Sequence, residues 1–165
     1  MAQITLKGNP VTTSGNLPAV GTQAPDFVLT KGDLSDVTLA HFAGKKKILN
    51  IVPSLDTGTC ALSAKTFNAK IAERTDTVVL NISADLPFAQ SRFCKENGVD
   101  HIIPLSQFRD RKFGEDYGVL LTSGPLAGIL SRAVVVLDAA NKVLYTEQVA
   151  EIAKEPDYTK ALAAL

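Results

Sequence analysis

The chain has no tryptophan, one methionine, two cysteines and two histidines among its 165 residues. Each scarcity removes a class of explanation. Two cysteines cannot build the disulfide framework of a small secreted scaffold. With only His41 and His101 to help Cys60 and Cys94, no pair shows zinc-ligand spacing, and no metal site is expected. Seventeen basic residues balance seventeen acidic ones, so no global field draws the chain to nucleic acid or to an anionic membrane. The longest basic run, Lys45-Lys46-Lys47, directly precedes a strand candidate and reads as a solvated turn. No apolar run approaches the roughly 18 residues of a membrane-spanning helix. The start, Met1-Ala2-Gln3-Ile4-Thr5-Leu6-Lys7, lacks the basic and apolar stretches of a signal peptide. The expected compartment is the cytoplasm, where paired cysteines are catalytic or inert more often than structural.

What is present is a hydrophobic fraction of 45%, enough to bury a core within one domain spanning 1–165. The elements alternate. Ile4 to Leu6 and Val11 to Thr13 predict an N-terminal hairpin with its turn at Gly8-Asn9-Pro10. Phe27 to Leu29 reads as a short strand, and Asp33 to Thr38 as a turn into a short helix bearing Leu39 and Phe42. Ile48 to Val52 is an apolar run, the mark of a strand covered on both faces. A helix follows, with Cys60, Ala64, Phe67 and Ile71 on one face. Further strands are predicted over 78–83, 101–105, 133–138 and 143–147, the last two as a hairpin. A helix opens at Pro87 and closes at Gly98, a short one runs from Arg111 to Tyr117, and Pro156-Asp157 begins a terminal one. This order argues for an α/β fold, a mixed central sheet flanked by helices.

The octet Pro53-Ser54-Leu55-Asp56-Thr57-Gly58-Thr59-Cys60 lies between a strand-like segment and a helix-like one. A helix start favours a thiolate, through free N–H groups and the macrodipole, and the thiolate is the reactive form of cysteine. Open α/β sheets also place active sites where strands end. Against this, an isolated cysteine on an apolar stripe is usually core. Thr57 is either the N-cap or a donor to a substrate oxygen, and Pro53 either ends the strand or shields a sulfur. Cys94 reads as mid-helix, separated from Cys60 by 34 positions, far from a C-x-x-C dithiol. A thiolate attacking an anionic or polarised oxygen needs a fixed cation. Arg92, Arg109, Arg111 and Arg132 are the candidates, and periodicity does not choose among them.

Pro53, Thr57 and Cys60 resemble the P-x-x-x-T-x-x-C pattern of the peroxiredoxins, and the full octet resembles the active-site loop of their bacterial thiol peroxidase subfamily. The stretch Asn81 to Cys94 is similar to that subfamily's resolving-cysteine segment. Asp33 to Leu39, Ser123-Gly124-Pro125-Leu126 and Arg132-Ala133-Val134-Val135-Val136 also match, so the likeness spans nearly the whole chain. The resemblance implies a thioredoxin-like fold with an N-terminal β-hairpin extension, and a peroxidase without metal or organic cofactor. It implies that Cys60 is the peroxidatic cysteine and Cys94 the resolving one, joined in an intramolecular disulfide that thioredoxin reduces. Thr57 and Arg132 would hold the peroxide, and Pro53 would limit solvent at the sulfur. Hydrogen peroxide and alkyl hydroperoxides are the implied substrates, and a homodimer the implied assembly. The rival reading from another class is a peroxide-sensing signalling protein that uses the same disulfide as a conformational switch.

Overall fold

The computed structural model describes residues 1–165. Its first strands, β1 (Gln3–Leu6) and β2 (Asn9–Thr12), form a separate antiparallel hairpin. Ile4 and Val11 face each other in its register and pack with Leu121 and Ile152 in a small apolar cluster. The turn is at Lys7-Gly8, one residue earlier than the sequence suggests, and both residues have positive φ, 51° and 80°. A two-residue turn of that hand matches the twist of paired strands, which is why Asn9 and Pro10 are drawn into β2.

The main sheet has seven strands. They are β3 (Leu29–Thr30), β4 (Asp36–Val37), β5 (Lys46–Ile51), β6 (Thr77–Ser83), β7 (Ile102–Ser106), β8 (Ala133–Leu137) and β9 (Val143–Gln148). Their order is β4-β3-β7-β6-β5-β8-β9. The inner strand β5 pairs in parallel with β6 and antiparallel with β8. Two local expectations are corrected here. The strand near Phe27 begins only at Leu29, and the segment after Asp33 is the strand β4, paired back onto β3. A 3-10 turn over Leu39–Phe42 then holds the apolar pair expected there.

Alternation along the central strands divides the core in two. Leu49, Ile51, Leu80, Ile82, Ala133, Val135 and Leu137 face a cluster completed by Phe27, Phe113 and Tyr117. Phe113, within the short helix α3 (Lys112–Asp116), and Tyr117 at its C-terminal end stack at 4.5 Å, and the Tyr117 hydroxyl donates to Pro25 O at 2.7 Å. Ile48, Val52, Val79, Val134 and Val136 face the other way, beneath α1 (Gly58–Ile71), α2 (Pro87–Asn97) and α4 (Tyr158–Ala163).

The helix ends follow from their residues. Pro87 opens α2, where a missing N–H costs nothing, and Gly98 closes it at φ 62°. Asp157 caps α4 by accepting from Lys160 N. The buried face of α1 is the stripe Cys60, Ala64, Phe67 and Ile71, joined by Ser63. Phe67 is fully buried and meets Tyr158 edge-on at 5.1 Å, so α4 clamps α1 to the sheet. Burying a side chain of that size contributes about 1.5–3 kcal/mol to holding α1 on the sheet.

Candidate active site

The central strand delivers the site. The β5 ladder runs one residue past its end, with Val52 N donating to Ile82 O at 2.9 Å. Pro53 cannot donate, and the chain turns off the sheet there. The loop that follows is held by Asp85. One of its carboxylate oxygens accepts from Ser54 Oγ at 2.7 Å, and the other accepts from Leu55 N at 2.8 Å and Ser83 Oγ at 2.7 Å. Because Asp85 lies between β6 and α2, it ties the approach to Cys60 to the start of the helix that carries Cys94.

Cys60 is the third residue of α1 and is fully buried, at 0% exposure. The leading N–H groups of a helix have no intrahelical acceptor, so this is an electropositive place for a sulfur. Beneath it, Ser63 Oγ donates to the Cys60 carbonyl at 3.0 Å and itself accepts from the buried Asn50 at 3.3 Å. Arg132 stands one residue ahead of β8, whose pairing with β5 sets Ala133 opposite Ile51. The topology therefore brings together residues 72 positions apart. Arg132 Nη2 donates to Cys60 Sγ at 3.2 Å, Nε donates to Ile152 O at 2.7 Å, and the buried Nη1 has no partner. Of the four candidate arginines this is the one at the sulfur. Arg109 pairs with Asp36 at 2.6 Å, and Arg92 and Arg111 are exposed.

Pro53, Thr57 and Arg132 line one groove of about 460 Å³, together with the apolar side chains Leu6, Leu126, Ile129 and Ile152. Thr57 occupies the N-cap position of α1, yet its hydroxyl donates to Ser54 O at 3.1 Å instead of capping an N–H or meeting the sulfur. Thr59, to which the sequence reading gave no role, donates to Ala153 O at 3.0 Å and lines the same groove. Glu151 was also missed. Its carboxylate accepts from Thr5 Oγ1, Lys7 N, Gly8 N and Ala153 N at 2.8 to 3.1 Å, and these donors pull its carboxyl down to about 2. The lowered value means that the ionised latch is complete above the ordinary 4.5 and is lost only as pH falls from there towards 2.

Cys94 is in the last turn of α2, not in its middle. Its carbonyl accepts from Gly98 N and Val99 N, so unwinding from Gly98 would release it. Both cysteines are free thiols, and Cys94 packs against the apolar cluster that contains Cys60. Burial pushes the Cys94 thiol up from 9.0, which keeps it protonated at neutral pH. The stabilisation that burial gives the neutral thiol is present below 9.0 and is lost as pH rises through the raised folded value, where ionisation favours an opened helix end. In a Cys60→Ser chain, iodoacetamide is therefore expected to label Cys94 slowly at pH 7 and faster only in the alkaline range. Full-rate labelling at neutral pH in the folded chain would contradict this.

No group of three or more His, Cys, Asp or Glu side chains is arranged to hold a metal ion, and no helix is long and apolar enough to cross a membrane. The arrangement offers a buried sulfur, a guanidinium with one unengaged nitrogen, and an adjoining groove of mixed polarity.

Comparison with known proteins agrees with that chemistry. The Redoxin family model matches residues 19–162. Thiol peroxidases of Mycobacterium tuberculosis and Mycobacterium bovis are 55% identical over 165 residues, covering 100% of this chain and 99% of theirs. Among solved structures, a peroxiredoxin-like protein from Aquifex aeolicus matches with a TM-score of 0.92 at 38% identity, covering 100% of this chain and 98% of that one. The thiol peroxidase from Chromobacterium violaceum matches with a TM-score of 0.91 at 27% identity, covering 99% and 95%. With a thioredoxin-like α/β fold and these relatives, the chain belongs to the redoxin family and, among its peroxiredoxins, to the thiol peroxidases.

Proposed function

We propose that this chain reduces hydroperoxides through a sulfenic acid on Cys60, which Cys94 resolves and an external dithiol recycles. The observation that carries the reading is the guanidinium of Arg132 at 3.2 Å from the Cys60 sulfur, with Nη1 unengaged. The Cys60 thiolate attacks one peroxide oxygen. The O–O bond breaks, its electron pair leaves with the other oxygen, and a proton converts that oxygen to water or an alcohol. Negative charge grows on the departing oxygen, where fixed N–H donors act with little reorganisation. Arg132 and the first-turn amides of α1 are such donors. Thr57 adds a hydroxyl at the groove, and Pro53 keeps solvent from the sulfur.

The sulfenic acid then faces a choice. A second peroxide drives it to sulfinic acid, whereas a thiol converts it to a disulfide with loss of water. In our reading Cys94 is that thiol. Its attack requires the last turn of α2 and the first turn of α1 to open, since bridged cysteines need Cα atoms about 4.4–6.8 Å apart. Thiol–disulfide exchange with thioredoxin restores both thiols. The proposed setting is a single cytoplasmic domain that works as a homodimer and consumes hydrogen peroxide and alkyl hydroperoxides.

The test has two halves. One peroxide equivalent, followed by non-reducing digestion and mass analysis, is expected to yield a linked Cys60–Cys94 peptide. Adding thioredoxin, its reductase and NADPH should then sustain consumption of many equivalents. Sulfinic acid on Cys60 with no bridge would remove Cys94 from the cycle, and oxidation that halts after one equivalent would favour a sensor.

A further inference from the structure

Three sets of contacts meet at residues 151–153, beside the groove. First, the Ile152 carbonyl accepts from Arg132 Nε at 2.7 Å, and the Ala153 carbonyl accepts from Thr59 at 3.0 Å. This short strap therefore touches both the guanidinium and the residue next to Cys60. Second, the strap is paired with the N-terminal hairpin. Thr5 N donates to Ala150 O at 2.8 Å, and Ile152 N donates to Thr5 O at 2.9 Å. Third, the Glu151 carboxylate closes the junction by accepting the two amides at the hairpin tip, Lys7 N at 2.9 Å and Gly8 N at 3.0 Å. Both amides sit in a turn with positive φ, whose N–H groups converge on one side.

The hairpin tip is also a wall of the groove. Leu6 and Lys7 line it alongside Ile152 and Ala153. A hydrogen peroxide molecule, with two heavy atoms, needs none of this wall. A hydroperoxide with a bulky organic group would reach it, so the position of Leu6 would bear on how that group is held.

We infer that Glu151 is a positioning residue for organic hydroperoxides, latching the β1–β2 tip to the 151–153 strap so that Leu6 and Ile152 form a fixed apolar wall in the groove that Thr59 and Arg132 also line. The inference rests on the peroxidase reading and adds to it the element that sets substrate preference. Loss of the latch frees the tip, and an apolar wall that must be ordered on binding holds the organic group less tightly. Four donors would be left without their carboxylate, so Glu151→Gln, which keeps one acceptor oxygen, is expected to lie between the wild type and Glu151→Ala.

The experiment compares cumene hydroperoxide with hydrogen peroxide in steady-state assays of the full chain with thioredoxin. For Glu151→Ala, the ratio of kcat/KM for cumene hydroperoxide to that for hydrogen peroxide should fall about tenfold, mostly through KM, the scale of a lost apolar contact in a pocket. Glu151→Gln should restore part of it. Leu6→Ala, which leaves the latch intact, should lower the same ratio and guards against a folding defect in the Glu151 variants. An unchanged ratio in a folded Glu151→Ala chain, or equal losses for both peroxides, would overturn the inference while leaving the peroxidase reading in place. No turnover of either peroxide by the wild-type chain would overturn both.

Discussion

Cys60→Ser is expected to reduce peroxide consumption on the order of 10⁴-fold or more, the scale on which removing a nucleophile acts in covalent catalysis. The substitution is small and the site is fully buried, so the fold should persist and thermal unfolding should shift little. Serine keeps a donor near Arg132 but stays a neutral hydroxyl, and a hydroxyl without an adjacent base is a poor nucleophile. Cys94→Ser should behave differently. The first peroxide equivalent should be consumed as in the wild type, because in the proposed cycle the attack on peroxide does not involve Cys94. Sustained turnover then falls about 10²-fold, since a tethered thiol acts at an effective concentration of millimolar or above and a free reductant does not. Rapid-mixing assays separate the two phases. If Cys60→Ser retains turnover, the assignment of the nucleophile fails. If Cys94→Ser turns over normally, resolution comes from elsewhere.

Arg132→Lys carries the second large effect. Lysine preserves the charge, and the four-carbon stem fits the buried channel better than alanine would. What it loses is the fork. In the wild type one guanidinium engages Ile152 O through Nε, meets the sulfur through Nη2, and leaves Nη1 without a partner. An ammonium cannot hold all three directions at fixed geometry. Loss of one preorganised donor to a developing oxyanion costs about 10²–10³ in kcat, and a fall of that size is expected here for both hydrogen peroxide and organic hydroperoxides. The equal effect on both substrates separates this variant from Glu151→Ala. A change below about threefold would mean that backbone amides alone supply the stabilisation.

Much of the frame was legible in the sequence. The apolar runs at 48–52 and 133–138 announced strands because both their faces are covered, and they are the neighbours β5 and β8. The stripe from Cys60 to Ile71 gave the buried face of α1, and Pro87 with Gly98 marked the ends of α2. Short elements were read less well. The hairpin turn slid to Lys7-Gly8 because two positive-φ residues suit the strand twist better than the Pro-containing tripeptide. Residues 36–37 became a strand because β3 offered an edge, which is a tertiary fact.

The site divides along the same line. Local pattern alone determined that a thiol stands at the start of a helix after a strand that stops at proline, and that a second thiol lies in a later helix. Local pattern left four arginines equivalent, and family resemblance singled out Arg132 without giving its geometry. Antiparallel pairing of β8 with β5 decided the matter by setting Arg132 at the sulfur. Asp85 and Glu151 had no signal in the sequence, since beyond one local donor each, the groups they gather lie about 30 and more than 140 residues away. A carboxylate's role is set by which N–H groups converge on it. Convergence over such separations exists only once the chain has folded.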